Sequence, residues 1–307
     1  MVALSNEFEA IERYFLPLTM GRGEAGALKD DAAVLDVPEG FELVVSSDIL
    51  NEGVHFYEDA SAAYIARKAL RVNLSDMAAM GAKPYCYQLN LSFPEKPDEA
   101  WLSEFSGALL DDQNIFNVFC SGGDTTLTKG PLSICVSIVG LVPKGGAVRR
   151  SGARVGDLVV LTGAIGEARA RSYKSLPYPR CGLSEDICRY ARAAVDVSDG
   201  LIADLDHLCR ASGLRARLEL EKIPLDEEAE ASILVGDTTY QSVLSGGEDY
   251  ELVLAVAPDD IDDFTAAVSA KGVDVSVIGV FQDGAGVHVM GNDGRVLAFG
   301  RTGWTHF

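Results

Sequence analysis

The chain has 307 residues, 46 of them Asp or Glu against 26 Lys or Arg, for a formal net charge of −20. A nucleic-acid binder or a protein of anionic membranes needs a basic surface, so this balance argues against both classes. With 48% hydrophobic residues and a mean hydropathy of +0.11, the chain is equally unlike a disordered acidic tail, and its length suits two domains.

In chain order, Met1–Glu9 carry neither the basic nor the apolar stretch of a secretory signal, and no apolar run approaches the ~20 residues that a membrane helix needs. Residues 7–16 place Phe8, Ile11, Tyr14 and Phe15 at helical spacing. Leu43-Val44-Val45 predicts a short strand running into Ser46-Ser47-Asp48, and residues 60–80 predict a long Ala-rich helix ending at Gly81. Strands follow at Ile115–Cys120, leading into Ser121-Gly122-Gly123-Asp124-Thr125-Thr126, and at Ser133–Leu141. The Gly-rich stretch around Pro143–Gly146 and Arg149–Gly152 predicts a domain boundary, giving residues 1–145 and 146–307. Beyond it come strands at Leu158–Leu161, Val195–Ser198 and Glu251–Val256, with an amphipathic helix from Leu201 to Cys209 stopped by Gly213. Strands alternating with helices imply an α/β or α+β fold. The six cysteines form no C-x-x-C pair and only four His occur, so free thiols in a reducing cytoplasm are expected and zinc is not.

Most of the acidic residues read as solvated surface, such as Asp226-Glu227-Glu228 and Asp259-Asp260. A smaller set stands at strand ends and Gly turns. Asp30-Asp31 precede Ala32–Leu35 and suit a turn as well as a site, and Asp48 ends a strand-like run. Asp76 shares a helix face with Ala62, Ala66, Ala69, Asn73 and Met80; a carboxylate on such a seam must be hydrogen-bonded, protonated or metal-bound. Asp124 follows Gly122-Gly123, and Glu248-Asp249 follow Gly246-Gly247. In Asp196-Val197-Ser198-Asp199-Gly200, Ser198 or Asp199 could cap the helix that begins at Leu201, which accounts for one carboxylate only. Carboxylates so placed suit a hard divalent cation such as Mg²⁺, held by a few of them together with substrate phosphates. Gly21-Arg22-Gly23-Glu24-Ala25-Gly26 matches a dinucleotide fingerprint but follows a helical pattern instead of a strand, so that reading fails. By default His55, beside Phe56, and Trp304, near the chain end, read as structural.

In this order, Asp30-Asp31-Ala32-Ala33, Ser46-Ser47-Asp48, Gly53-Val54-His55-Phe56, Val72–Ala82, Gly122–Thr126, Arg150–Ala153, Asp196–Leu201, Ser245–Leu252 and Gly303-Trp304 resemble the thiamine-monophosphate kinases of the aminoimidazole-ribonucleotide synthetase-like superfamily. The resemblance spans nearly the whole chain. It implies two α/β domains: an N-terminal one that binds ATP and Mg²⁺ and pairs with that of a second copy into a mixed barrel, and a C-terminal one that completes an ATP cleft. It implies ATP-dependent, in-line, Mg-assisted phosphorylation of thiamine monophosphate to thiamine diphosphate by a cytoplasmic homodimer. By that pattern Asp31, Ser46, Ser47, Asp48, Asp76, Asp124, Asp196 and Asp199 hold several Mg²⁺ ions, with Asp76, Asp124 and Asp199 the most important. Gly123, Asp124, Arg150 and Ser198 contact ATP, while His55, Glu248 and Trp304 lie toward the thiamine substrate. Two departures stand out. Lys29 replaces the family's usual Gly, and the segment after Gly166 is short, its basic part reduced to Ser175–Arg180.

Rival readings are another ATP-dependent synthetase of the superfamily or a non-catalytic, acidic metal-binding protein. A selenophosphate synthetase should carry a reactive Cys near its N-terminus, whereas the first Cys here is Cys86. A silent metal binder would have no reason to keep Arg150, Ser198 and Trp304 in their family context.

Overall fold

The computed structural model describes residues 7–300 and 302–304. The chain divides into two compact units, one formed by residues up to Met77 with Lys83–Gly145, the other by Ala78–Ala82 with everything from Gly146 onward. Among the described residues no helix is long and apolar enough to cross a membrane.

The first unit begins with α1 (Glu7–Ala10), which runs on as π-helical and 3-10 turns through Thr19. Its frame is β1 (Phe41–Asn51), α2 (Ala62–Ala79), β2 (Lys83–Phe93), α3 (Glu99–Phe116), β3 (Phe119–Leu127) and β4 (Ser133–Pro143). The strands form one sheet in the order β1-β4-β2-β3, antiparallel except for the parallel β2–β3 pair. Strict alternation along β4 sends Ile134, Val136, Ile138 and Val142 into the core, as a one-sided sheet requires. The strand expected at Ile115 starts later. Ile115 and Phe116 finish α3, Asn117 turns left-handed at φ 51°, and β3 begins at Phe119. An apolar run of this kind carries no period that separates a last helical turn from a strand. The first strand is also longer than Leu43–Val45, because its eleven residues pair with β4 from Phe41 to Asn51.

The second unit contains β5 (Leu158–Thr162), α4 (Glu167–Ala170), α5 (Ser184–Tyr190), β6 (Ala191–Asp196), α6 (Leu201–Ser212) and β7 (Arg215–Glu219). It continues with α7 (Glu227–Val235), α8 (Tyr240–Leu244), β8 (Leu252–Val256), α9 (Ile261–Ser269), β9 (Val275–Gln282) and β10 (Gly286–Met290). Six strands line up as β10-β7-β9-β5-β8-β6, with only β10–β7 parallel. The strand β8, between β5 and β6, is buried along its whole length. Val253 and Ala255 feed a core shared with α6, and Leu252, Leu254 and Val256 feed one shared with α5 and α9. This two-sided burial explains why Leu252–Val256 reads as a continuous apolar run. The helix α6 ends at Ser212, where Gly213 takes the left-handed C-cap conformation at φ 69°.

Candidate active site

In the first unit, β1 and α2 meet at four polar side chains, Ser46 and Asp48 from the strand and Asn73 and Asp76 from the helix. Asn73, fully buried on α2, donates from Nδ2 to the Ala69 carbonyl at 3.0 Å and accepts the Asp48 N–H on Oδ1 at 3.1 Å. That bond fixes the level of Asp48 against the helix. One turn along, the Asp76 carboxylate accepts a hydrogen bond from the Ser46 hydroxyl. Burial, and then the negative charge of Asp76, push the Asp48 carboxyl up to about 6. Two carboxylates and a hydroxyl gathered in this way form a hard, oxygen-only donor set that a proton or a divalent cation satisfies.

The strand period splits the Ser46-Ser47-Asp48 motif. The Ser47 hydroxyl lies on the other side, 2.9 Å from the Ser137 hydroxyl and 3.2 Å from the Val136 carbonyl, to which it donates. Asp31 is exposed in a segment without regular structure. Asp124 lies on β3, its carboxylate accepting the Thr125 N–H at 2.9 Å. Because β4 and β2 stand between β1 and β3, Asp48 and Asp124 occupy opposite sheet edges, three strand spacings or about 14 Å apart along the sheet. Among the described residues, no three His, Cys, Asp or Glu side chains close into a metal shell. His55 follows β1; its Nδ1 accepts the Asn51 N–H at 3.0 Å, which fixes the ring, and its carbonyl accepts from Lys68.

In the second unit the structure brings three predicted elements together. The backbone of Asp196–Gly200 is stitched to the Gly246–Glu251 loop through Glu248 N–H to the Ser198 carbonyl (2.8 Å), Tyr250 N–H to Val197 (2.9 Å) and Val197 N–H to Glu251 (2.8 Å). Trp304 joins them by donating its N–H to the Asp199 carbonyl at 3.0 Å, and its side chain is 49% exposed. Gly247 is required here. It sits at φ 72°, and a Cβ would come within 2.5 Å of the Ser198 carbonyl oxygen. Glu248 and Tyr250, which are not glycines, are held at φ 63° and 53°, a strained conformation that concentrates at functional sites.

The cap expected from Ser198 or Asp199 is absent: Gly200 occupies the N-cap of α6 without a side-chain bond. Its work is done by Asp204, from the first turn of α6, whose Oδ2 accepts the N–H groups of Asp199 (2.9 Å) and Gly200 (3.1 Å). Burial pushes the Asp204 carboxyl up to about 7, opposed by these bonds and by the Arg150 charge. Sequence reasoning missed Asp204. The available signal was an acidic residue in the first helical turn, where a carboxylate can reach back to the cap.

Comparison with known proteins places this geometry. Residues 29–142 match the N-terminal domain of AIR synthase related proteins, and residues 180–292 match their C-terminal domain. The thiamine-monophosphate kinase of Caulobacter vibrioides is 39% identical over 98% of this chain and 90% of its own length. The crystal structure of the thiamine-monophosphate kinase from Stenotrophomonas maltophilia superposes with a TM-score of 0.84 at 34% identity, covering 96% of this chain and 99% of that one. AaThiL complexed with AMPPCP and TMP gives a TM-score of 0.78 at 28% identity over 100% of this chain and 99% of that one. The chain therefore belongs to the thiamine-monophosphate kinase family of AIR synthase related proteins.

Proposed function

We propose that the chain transfers the γ-phosphoryl group of ATP to thiamine monophosphate, giving thiamine diphosphate and ADP. The observation that carries this reading is near-full-length likeness to thiamine-monophosphate kinases, including a ThiL complexed with AMPPCP and TMP. The chemistry suits the residues. A terminal phosphate oxygen of thiamine monophosphate is already ionised at neutral pH, so it attacks the γ-phosphorus without a general base while the bond to the ADP oxygen breaks. Positioning and charge neutralisation supply the catalysis.

Asp48, Asp76 and the Ser46 hydroxyl fit Mg²⁺, because they gather as a hard oxygen donor set in which burial, and then the charge of Asp76, raise the Asp48 carboxyl. Asp31, Ser47 and Asp124 in the first unit, and Asp196 and Asp199 in the second, are the further candidate ligands. Mg²⁺ held by such oxygens would offset the charge of the two phosphorylated substrates. Gly123 and Asp124 in one unit, and Arg150 and Ser198 in the other, are assigned to ATP. Arg150 supplies a planar fork for phosphate oxygens. His55, Glu248 and Trp304 are assigned to the thiamine side, where an aromatic face and a carboxylate suit a cationic thiazolium. The division at residues 145 and 146 gives a first domain for Mg²⁺ and ATP and a second carrying the remaining contacts.

A homodimer completes this reading. Among the described residues both edges of the first sheet lack a further strand partner, and β1 exposes Phe41, Leu43, Val45 and Ile49. An edge so long and apolar is a template for another strand. A second copy pairing along these edges would set its Asp124 beside Asp48, which a single copy cannot do. The function is tested by incubating the purified chain with ATP, Mg²⁺ and thiamine monophosphate. Thiamine diphosphate is the expected product, and ATP binding with product at the no-enzyme level would overturn the assignment.

A further inference from the structure

The segment from Gly163 to Arg180, which includes α4, is fastened at both ends to one short loop, Glu248-Asp249-Tyr250-Glu251. At the near end, Asp249 accepts the Gly166 N–H at 2.8 Å and also the Ala168 N–H. At the far end, Arg180 forks onto Glu251 through Nε at 2.8 Å and through Nη2. Glu251 is only 7% exposed. Its Oε2 also accepts the Thr162 hydroxyl at 2.6 Å, and that hydroxyl accepts the Leu252 N–H at 2.8 Å. Between the ends, the Tyr173 hydroxyl donates to the Gly246 carbonyl at 3.2 Å, and Arg169 Nε donates to the Ser242 hydroxyl at 3.2 Å.

These bonds alternate along the loop with its strained residues. Glu248 and Tyr250 carry the left-handed φ values, while Asp249 and Glu251 carry the fastenings. A non-glycine residue stays left-handed only where its surroundings over-determine it. Here the over-determination comes from two sides: the Ser198 and Val197 carbonyls accept the Glu248 and Tyr250 N–H groups, and the 163–180 segment holds the intervening acids, with two backbone donors on one carboxylate and a bidentate guanidinium on the other.

We infer that Asp249 and Glu251 are positioning residues that latch the 163–180 segment onto the Glu248 loop, so that the segment and Glu248 together form the wall that recognises the cationic, phosphorylated substrate. This inference rests on the proposed function only for the identity of that substrate. Releasing either end lets the loop relax from its left-handed conformation and moves Glu248. The effect is therefore weaker binding of thiamine monophosphate, with ATP binding little changed.

The test compares the wild-type chain with Asp249→Ala, Arg180→Ala and Asp249→Asn, which keeps an acceptor. Two readouts are taken: hydrogen exchange at the Gly166 and Ala168 amides, and the separate KM values for thiamine monophosphate and ATP. The expected result is faster exchange and a KM for thiamine monophosphate raised about tenfold in the two Ala variants, a KM for ATP changed less than about twofold, and near-wild-type behaviour for Asp249→Asn. Unchanged exchange overturns the latch. Faster exchange with an unchanged KM for thiamine monophosphate, or equal losses for both substrates, overturns the substrate wall. Arg180→Ala carries the test should Asp249→Ala fail to fold, since it removes a side chain 20% exposed. If the wild-type chain forms no thiamine diphosphate, the proposed function fails on that arm alone. Exchange then decides the latch, and calorimetric titration with thiamine monophosphate decides the wall, absence of binding overturning it.

Discussion

In the first unit, burial and then the nearby charge of Asp76 raise the Asp48 carboxyl to about 6. In the same unit Asp112, fully buried, is gripped by Arg71 through Nε at 2.6 Å and Nη2 at 2.8 Å, and by Arg67. In the second unit, Asp204 and Asp249 are held by backbone N–H groups and Glu251 by Arg180. These carboxylates therefore fall into two kinds. Those answered by arginine or by N–H groups fix the chain's own geometry. The half-buried Asp48 and Asp76 instead bring two like charges together beside a hydroxyl, an arrangement suited to Mg²⁺ and phosphates.

Substitutions can break this comparison. Asp76→Asn is expected to lower turnover on the order of 100-fold while the thermal midpoint in metal-free buffer holds or rises, because a like-charge contact is removed. Asp112→Ala should do the reverse, costing about 3–5 kcal/mol of stability by removing the buried carboxylate that Arg71 and Arg67 grip. Denaturant unfolding alongside a turnover assay separates the two, and equal stability loss in both variants would dissolve the distinction.

Co-expression sharpens the dimer. Asp76→Asn and Asp124→Asn chains, each inactive alone, should together recover about a quarter of wild-type turnover, since half of the dimers then carry one intact site. No recovery would overturn the pairing that sets Asp124 of one copy beside Asp76 of the other.

The smallest effect concerns pH. Burial holds the Asp249 carboxyl at about 7 in the folded chain, against about 3.9 when unfolded. The folded state keeps a proton that the unfolded state sheds, so stability from this group is full below pH 4 and is lost as pH rises through 7. Asp249→Asn cannot ionise. Its unfolding free energy relative to wild type should climb on the order of 1–3 kcal/mol between pH 4 and pH 8, and a flat difference would place the carboxyl's titration elsewhere.

Much of this was legible in the residues. Alternation along Ser133–Leu141, the Ala-rich run of α2 and the strand pattern of β5 each follow from local periodicity, which survives any tertiary arrangement. The face shared by Asn73 and Asp76 was legible for the same reason, and Asn73 proved to be the residue that fixes Asp48. The missed features depend on partners distant in sequence. Ser198 and Asp199 looked like caps because a cap is a local device, yet Asp204 took the role. Asp112 and Arg71 stand 41 residues apart, and no spacing rule joins them.

The sequence by itself determined which residue types could do the chemistry: oxygen donors at Gly turns and strand ends, an acidic balance unsuited to nucleic acid, and motifs whose order marks the family. Only the tertiary structure decided which carboxylates answer one another and which are answered by the chain. It placed Asp48 and Asp124 on opposite edges of one sheet and tied the 163–180 segment to the Glu248 loop. The physical reason is range. Periodicity and turn chemistry act over a few residues, whereas strand order and hydrogen bonds between distant segments depend on the packing of whole elements.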